Sequence, residues 1–178
     1  MLLEKDHKIL LVTNKEEERF LRTRPADFDF TKYTEKDLRE LIAAMRSIMR
    51  KANGVGLSAN QVGLDMQLFV AEIPQKNKGP KLYAIFNPKI TDSSKELSTL
   101  EEGCLSVPKL SGSVSRPKAV ILTGFDKHQK PIKIKAGGLL ARVIQHEVDH
   151  LNGTVFIEKA KNIHEVTAEE EISGEQNI

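Results

Sequence analysis

Apolar residues recur at three- and four-residue steps between residues 34 and 52, which is the spacing of one face of an α-helix. Thr34 is a suitable N-cap, Asp37 stands three residues later, and residues 53–54 (Asn-Gly) would stop the run. The apolar positions are Leu38, Leu41, Ile42, Met45, Ile48 and Met49. This pattern predicts an amphipathic helix whose apolar face belongs to the protein core.

Further along the chain the apolar runs become short and rich in β-branched residues, which is typical of strands. Four such runs are predicted as strands, at residues 67–73, 82–90, 119–125 and 131–135. The polar residues 75–80 are predicted to form a loop. Residues 126–130 are predicted to form a hairpin turn, in which His128 is a solvated turn residue.

A second helix is predicted at about residues 139–151, after Gly137-Gly138 and before Asn152-Gly153. A helix, several strands and a second helix indicate the α+β class, with antiparallel or mixed β-sheets packed around the second helix. Residues 1–163 are expected to form a single domain. Residues 164–178, with five glutamates and no lysine or arginine, are expected to form an acidic tail, either a short solvated helix or a frayed end.

The composition excludes several classes of protein. A chain of 178 residues is long enough for one domain with a core, and 27 basic against 25 acidic residues give no strong field that would require nucleic acid or an anionic membrane as a partner. The apolar run at residues 9–12 is too short for a signal sequence or a membrane span. A single cysteine excludes an internal disulfide and is consistent with a reducing cytosol.

The second predicted helix contains the sequence His-Glu-Val-Asp-His at residues 146–150. Residues four apart lie on one face of a helix, so the imidazoles of His146 and His150 can meet one metal ion. Glu147 lies beside them, where a carboxylate can act as general base without occupying a coordination position. Paired histidines on a helix are often only packed side chains, but the periodic helix and its Gly-Gly entrance favour a metal site.

A catalytic site of the zinc type normally has three protein ligands, so a third must be found. Metzincin peptidases have a histidine where this chain has Phe156. A thermolysin-like peptidase would use a later glutamate, and residues 169–171 are candidates, although they lie among few apolar residues. Cys104 is the only thiol, and a thiolate binds divalent first-row metals strongly. Taken alone, a buried, inert cysteine is the more common explanation.

Residues 54–63 form a third segment of interest, rich in glycine and small residues. Such residues suit a loop or strand that lies close to the backbone of a substrate. Gln61 could donate a side-chain N–H to an oxyanion. The segment lacks the strand-to-helix setting of a nucleotide-binding loop.

Together and in this order, the three segments resemble the signature motifs of the peptide deformylase family. A glycine-rich stretch ending in glutamine is matched by residues 54–61, Glu-Gly-Cys-Leu-Ser by residues 102–106, and His-Glu-x-Asp-His-Leu-x-Gly by residues 146–153. The three motifs are jointly highly specific. The resemblance implies a metal-dependent hydrolase that removes the formyl group from the N-terminal methionine of nascent polypeptides and releases formate.

The resemblance also implies a set of metal ligands. One divalent metal ion would be held by Cys104, His146 and His150. The ion is Fe2+ in many bacterial members, and Zn2+, Ni2+ or Co2+ can take its place. A mixed sulfur and nitrogen set does not by itself exclude zinc.

Catalytic roles follow from the same resemblance. Metal-bound water would attack the formyl carbonyl, with Glu147 as general base and later as proton donor to the leaving amine. The side chain of Gln61 and the backbone N–H of Leu105 would stabilise the oxyanion. The expected partners are N-formylmethionyl nascent peptides in a bacterial cytoplasm, with transient proximity to the ribosome.

Five residues are candidates for contacting the peptide and lining its methionine pocket: Val55, Gly56, Leu139, Arg142 through its aliphatic stem, and Val143. The chain also departs from the family in some places. Ser58 stands where the family usually has alanine, a small change, and residues 109–113 lack an arginine that some members have. The acidic tail does not resemble the basic tail with which some members dock on ribosomes, so docking through it is not predicted. A non-catalytic family member that keeps the metal is the remaining alternative.

Overall fold

Three α-helices, eight β-strands and three short 3-10 helices make up the part of the chain that the computed structural model describes, which is residue 3 and residues 7–166. The α-helices are α1 (Lys15–Leu21), α2 (Glu35–Lys51) and α3 (Gly138–His150). The strands are β1 (Gly56–Ser58), β2 (Leu68–Gln75), β3 (Lys78–Ser93), β4 (Leu97–Cys104), β5 (Val107–Pro117), β6 (Ala119–Phe125), β7 (Pro131–Gly137) and β8 (Lys161–Glu165). The 3-10 helices are Phe30–Lys32, Ala59–Val62 and Phe156–Glu158.

The strands form two antiparallel sheets. One has the order β1-β2-β3-β6-β7 and the other the order β4-β5-β8. Helix α3 contacts strands of both sheets, including β1, β2 and β7 of the first and β5 of the second. The α+β class is therefore confirmed, and so is the central position of the second predicted helix.

Both predicted helices are confirmed. In α2 the hydroxyl of Thr34 accepts from the Asp37 N–H, and the Asp37 carboxylate accepts from the Thr34 N–H, which closes the predicted capping box. All six of the predicted apolar positions on this helix are buried. The four predicted strands correspond to β2, β3, β6 and β7, with longer ends in three of them.

Two local predictions are wrong. Most of residues 75–80 lies in strands, because β2 and β3 form a hairpin whose turn is only Lys76 and Asn77. Asn77 has φ 60°, a conformation that such tight turns need and asparagine tolerates. His164 and Glu165, assigned to the acidic tail, belong to β8, which pairs with β5. Val166, the next residue of that predicted tail, donates its N–H to the main-chain oxygen of Lys109, and residues 167–178 lie outside the described residues.

The core is built around the two longer helices. The apolar face of α2 packs with residues of β1 and β2, including Leu57, Leu68 and Val70. A second cluster joins α3 to the five-stranded sheet, through residues such as Val143 and Phe69. Within the described residues, no helix is long and apolar enough to span a membrane.

Candidate metal centre and active site

Helix α3 carries two of the candidate ligands into the interior. Gly138 has φ +58°, which lets the chain turn sharply from β7 into the helix. Both sheets cover the helix, so that the side chains of His146 and His150 are each only 1% exposed. The two histidines therefore share one face of a buried helix, as their spacing predicts.

Cys104 comes to the same place from the other sheet. It ends β4 at a tight hairpin, where it pairs with Val107 of β5. Its Sγ lies 3.1 Å from Nε2 of His150, and the ligand atoms of Cys104, His146 and His150 all lie within 4.8 Å of one another. The structure thus brings the predicted ligand set together from the end of β4 in the three-stranded sheet and from helix α3.

A buried carboxylate fixes the orientation of one ligand. Oε2 of Glu102 lies 3.1 Å from Nδ1 of His146. A proton on Nδ1 leaves Nε2 of His146 free to bind a metal, and this buried Nε2 has no hydrogen-bond partner in the described structure. The carboxylate is itself held by Arg116 on both oxygens, at 2.6 and 2.8 Å, and by Arg142 at 2.6 Å.

Charge around Glu102 is strongly organised. Burial alone would raise the pKa of this carboxyl group, but the hydrogen bonds from Arg116 and His146 outweigh burial and lower the pKa to about 2. Arg116 also binds Asp149 at 2.7 Å, and Asp149 accepts from Lys159 at 2.6 Å. The second carboxylate of the His-Glu-Val-Asp-His sequence therefore anchors α3 to β5.

In the absence of a metal ion, the pKa values of the two imidazoles shift in opposite directions. Burial disfavours the charged form of His146, but its electrostatic interactions with Cys104 and Glu102 prevail and raise its pKa to about 10. Burial and the neighbouring charge of His146 hold the pKa of His150 well below its ordinary value. The cluster is thus suited to one cation, and a divalent metal ion would compete with the proton on His146.

Glu147 lies next to the ligands and is 1% exposed. Its burial raises the pKa of the carboxyl group to about 7. Oε2 accepts a hydrogen bond from the hydroxyl of Ser58 at 2.6 Å. On the other side, a Cβ at Gly56 would overlap with Oε1 and lie 2.9 Å from Cδ, so glycine is what lets β1 approach this carboxylate.

Gln61 and Leu105 flank the cysteine. Gln61 lies in the 3-10 helix Ala59–Val62, where its Oε1 accepts from the N–H of Ser58 at 2.8 Å. Its Nε2 donates to Oγ of Ser106 at 3.2 Å and lies 3.7 Å from Sγ of Cys104. Leu105 directly follows Cys104 in the hairpin turn. Both candidate oxyanion donors are therefore beside the ligand cluster.

The candidate peptide-contacting residues are distributed unevenly. Val143 is buried, and its Cγ1 would be 3.0 Å from a Cβ at Gly56. Val55 is buried just before β1, whereas Leu139 is 43% exposed at the start of α3. Arg142 directs its guanidinium to Glu102, which leaves only its stem for a pocket. Their contact with a peptide stays a prediction.

Sequence reasoning missed several residues that hold the site together. Glu102 stands two residues before Cys104 on β4, so strand alternation could have placed both on one face. Asp149 lies within the helix motif but was given no role. No local signal marks Arg116 or the contact of Ser58 with Glu147, since both depend on which strands lie beside α3.

The buried set of one thiol and two imidazoles could hold a metal ion, and with a carboxylate beside it the arrangement is consistent with the class of metal-dependent hydrolases. Comparison with known proteins specifies the class further. Residues 8–166 match the family model described as polypeptide deformylase, and the chain belongs to this family. Peptide deformylases are hydrolases that remove the N-terminal formyl group from nascent peptides.

Similar proteins come from several bacteria. A peptide deformylase of Synechocystis sp. is 45% identical over 125 residues, which cover 70% of this chain and 67% of that protein. One from Thermodesulfovibrio yellowstonii is 45% identical over 123 residues, 69% of this chain and 74% of that protein. Because the chain belongs to the polypeptide deformylase family, the alternative of a thermolysin-like peptidase is not retained. The candidate glutamates of that alternative, residues 169–171, lie outside the described residues.

Solved structures show the same fold. A probable peptide deformylase from Synechococcus phage S-SSM7 has a TM-score of 0.78 and 36% identity, over 86% of this chain and 99% of that chain. A peptide deformylase from Synechococcus elongatus, crystallised with actinonin, has a TM-score of 0.76 and 34% identity, over 89% of this chain and 81% of that chain.

Proposed function

We propose that this chain removes the formyl group from the N-terminal methionine of nascent polypeptides, using one divalent metal ion held by Cys104, His146 and His150. The observation that carries the proposal is the convergence of three buried ligand atoms within 4.8 Å of one another, next to the buried carboxylate of Glu147. The three ligands and the carboxylate match the needs of metal-assisted hydrolysis.

The donor set fits a first-row divalent ion. Thiolate and imidazole ligands suit iron and zinc, and the unpartnered Nε2 of His146 is an unused donor facing the cluster. The resemblance favours Fe2+ as the native ion, with Zn2+, Ni2+ or Co2+ as substitutes. When bound, the ion acts as a Lewis acid toward water and the formyl carbonyl.

Glu147 acts first as the proton acceptor and then as the proton donor in this reaction. Its carboxylate takes a proton from the attacking water as the new C–O bond forms, and the same proton goes to the leaving amine as the C–N bond of the formamide breaks. Formate and a free N-terminus are the products. A carboxyl group with a pKa of about 7 is suited to both steps near neutral pH.

Two donors would stabilise the charge that develops on the formyl oxygen. The Nε2 of Gln61 and the backbone N–H of Leu105 lie beside Cys104, on separate segments of the chain. Fixed donors cost no reorganisation as the oxyanion forms. The peptide itself would lie against Val55, Gly56 and the start of α3.

The cellular setting belongs to the same proposal. Formylated nascent chains are made on ribosomes, so the protein would act in the cytoplasm in transient proximity to them. A single cysteine used as a metal ligand is consistent with a reducing compartment.

Formate release from a short N-formylmethionyl peptide tests the proposal. The protein is purified anaerobically, loaded with Fe2+ or Ni2+, and compared with Glu147→Ala and Cys104→Ala. We expect turnover to fall by at least 100-fold in Glu147→Ala with metal content unchanged, and metal to be lost in Cys104→Ala. The exposed Glu101→Ala is the matched control. Full metal occupancy without turnover in the parent protein would indicate a non-catalytic family member.

The choice of iron is tested by oxygen. An iron-loaded protein with a thiolate ligand should lose activity over hours in air. Protein loaded with zinc, nickel or cobalt should keep its initial activity over the same period. Equal activity of aerobic and anaerobic iron-loaded protein would contradict the assignment of iron.

A further inference from the structure

Ser58 is buried completely, next to a carboxylate that carries the proposed proton transfer. Its hydroxyl lies 2.6 Å from Oε2 of Glu147 and 3.0 Å from the main-chain oxygen of the same residue. A hydroxyl has one proton to donate, and the shorter contact to the charged oxygen is the stronger bond. The main-chain oxygen is left as the alternative acceptor.

The backbone that presents this hydroxyl is itself fixed. Ser58 pairs with Phe69 in the sheet, and its N–H donates to Oε1 of Gln61 at 2.8 Å. That bond leaves Nε2 of Gln61 directed toward Cys104. Ser58 therefore touches both the proposed base and the proposed oxyanion donor, from a strand that cannot shift without breaking its pairing.

The carboxylate of Glu147 is confined from two sides. Gly56 and Ser58 are two residues apart on β1, so they face the same side of the strand, toward α3. Ser58 binds one carboxylate oxygen, and the missing side chain of Gly56 leaves just enough room for the other. A freely rotating carboxylate would spend only part of its time in a productive position.

We propose that Ser58 is a positioning residue, whose hydroxyl holds the carboxylate of Glu147 in the orientation required for proton transfer. The inference rests on the proposed function. Ser58 acts through Glu147 and not on the substrate, so loss of its hydroxyl should slow turnover without weakening peptide binding.

Steady-state kinetics of the metal-loaded Ser58→Ala protein test this inference. We expect kcat to fall about tenfold, as for loss of a hydrogen bond to a charged group, with KM and metal content within twofold of the parent. Ser58→Thr, which keeps the hydroxyl, should recover most of the loss. Ser113→Ala is the matched control, because Ser113 also donates to a glutamate, Glu101, at an exposed site. A Ser58→Ala protein with unchanged kcat, or with raised KM alone, would overturn the inference.

Coupling to Glu147 separates positioning from a general structural effect. In a Glu147→Asp background the shorter carboxylate lies farther from the hydroxyl, so Ser58→Ala should cost less than twofold in kcat. An equal tenfold loss in both backgrounds would show that Ser58 acts elsewhere.

A crystal structure of metal-loaded Ser58→Ala completes the test, because it does not depend on turnover. We expect the Glu147 carboxylate to rotate or to occupy two positions, and an unmoved carboxylate would refute the role of Ser58. Ser58→Cys, which has nearly the same volume and a weaker donor, serves both measurements if Ser58→Ala fails to fold. Absence of turnover in the parent protein would count against the proposed function alone.

Discussion

Replacing Glu102 with glutamine would keep the shape of the side chain but remove the charge that two buried arginines and His146 share. The hydrogen bonds from Arg116 and His146 lower the pKa of Glu102 from 4.5 to about 2 although burial opposes them. A difference of this size corresponds to about 3 kcal/mol of stability. Breaking a buried ion pair costs about 3–5 kcal/mol, which agrees. We therefore expect Glu102→Gln to destabilise the metal-free protein by about 3 kcal/mol at pH 7.

The pH dependence follows from the direction of the pKa change. Because the folded-state pKa of Glu102 is lowered, its contribution is complete above about pH 4.5 and is lost as the pH falls toward 2. Urea unfolding of metal-free parent and Glu102→Gln proteins at pH 7, 4 and 3 should show a gap that narrows with acidification. A gap that stays constant over this range would refute the electrostatic explanation.

The same variant should weaken metal binding. Glu102 fixes the tautomer and ring orientation of His146, and loss of such a partner typically costs about 10–100-fold in metal affinity. Competition with a chelator measures this change. Glu101→Gln is the matched control, because Glu101 stands one residue earlier on the same strand and is exposed. It should change neither the unfolding equilibrium constant nor the metal affinity by more than twofold. Unchanged affinity in Glu102→Gln would show that packing alone holds the imidazole.

Three further predictions concern the base and the sheet beneath it. Gly56→Ala places a Cβ against the carboxylate of Glu147 and should lower kcat at least tenfold while metal content, measured by elemental analysis, stays unchanged. The kcat/KM of the parent should fall about tenfold per pH unit on the acid side of the Glu147 pKa, because protonation removes the basic form, and an acid limb that persists unchanged in Glu147→Ala would contradict this role. Glu72 is 7% exposed and is bound by Arg50 and Arg46, which lower the pKa of its carboxyl group to about 2. Glu72→Gln should therefore reduce the free energy of unfolding by about 1–2 kcal/mol at pH 7, a range that allows for the greater exposure of the two arginines. Below pH 4 the reduction should be smaller, because the carboxylate of the parent protein becomes protonated in the unfolded chain.

Local patterns predicted much of the secondary structure. Helix α2 shows both a clear apolar period and a capping box, and the structure has it within one residue at each end. Strands β4 and β5 were missed because most of their residues are polar or charged, so that no alternation of apolar and polar residue types marks them in the sequence. Helix α1 has only seven residues, too few for a periodic signal.

The sequence by itself determined which residues are the candidate ligands and the candidate base of this protein. Residue type and spacing suffice for His146, Glu147 and His150, since the helical repeat places them together, and the family motif adds Cys104. Which groups surround them was decided by the tertiary structure. Ser58 and Glu147 are 89 residues apart in the chain, and only the packing of β1 against α3 brings the hydroxyl to the carboxylate.

The tertiary structure also decided which charged groups surround Glu102. Glu102 meets Arg116 through the pairing of β4 with β5, and meets Arg142 and His146 through the packing of α3 beside that sheet. Burial, which raises the pKa of Glu147 and lowers that of His150, is likewise a property of the folded chain. A linear sequence specifies chemical groups and their local spacing, whereas the electrostatic environment depends on every segment that excludes water from the site.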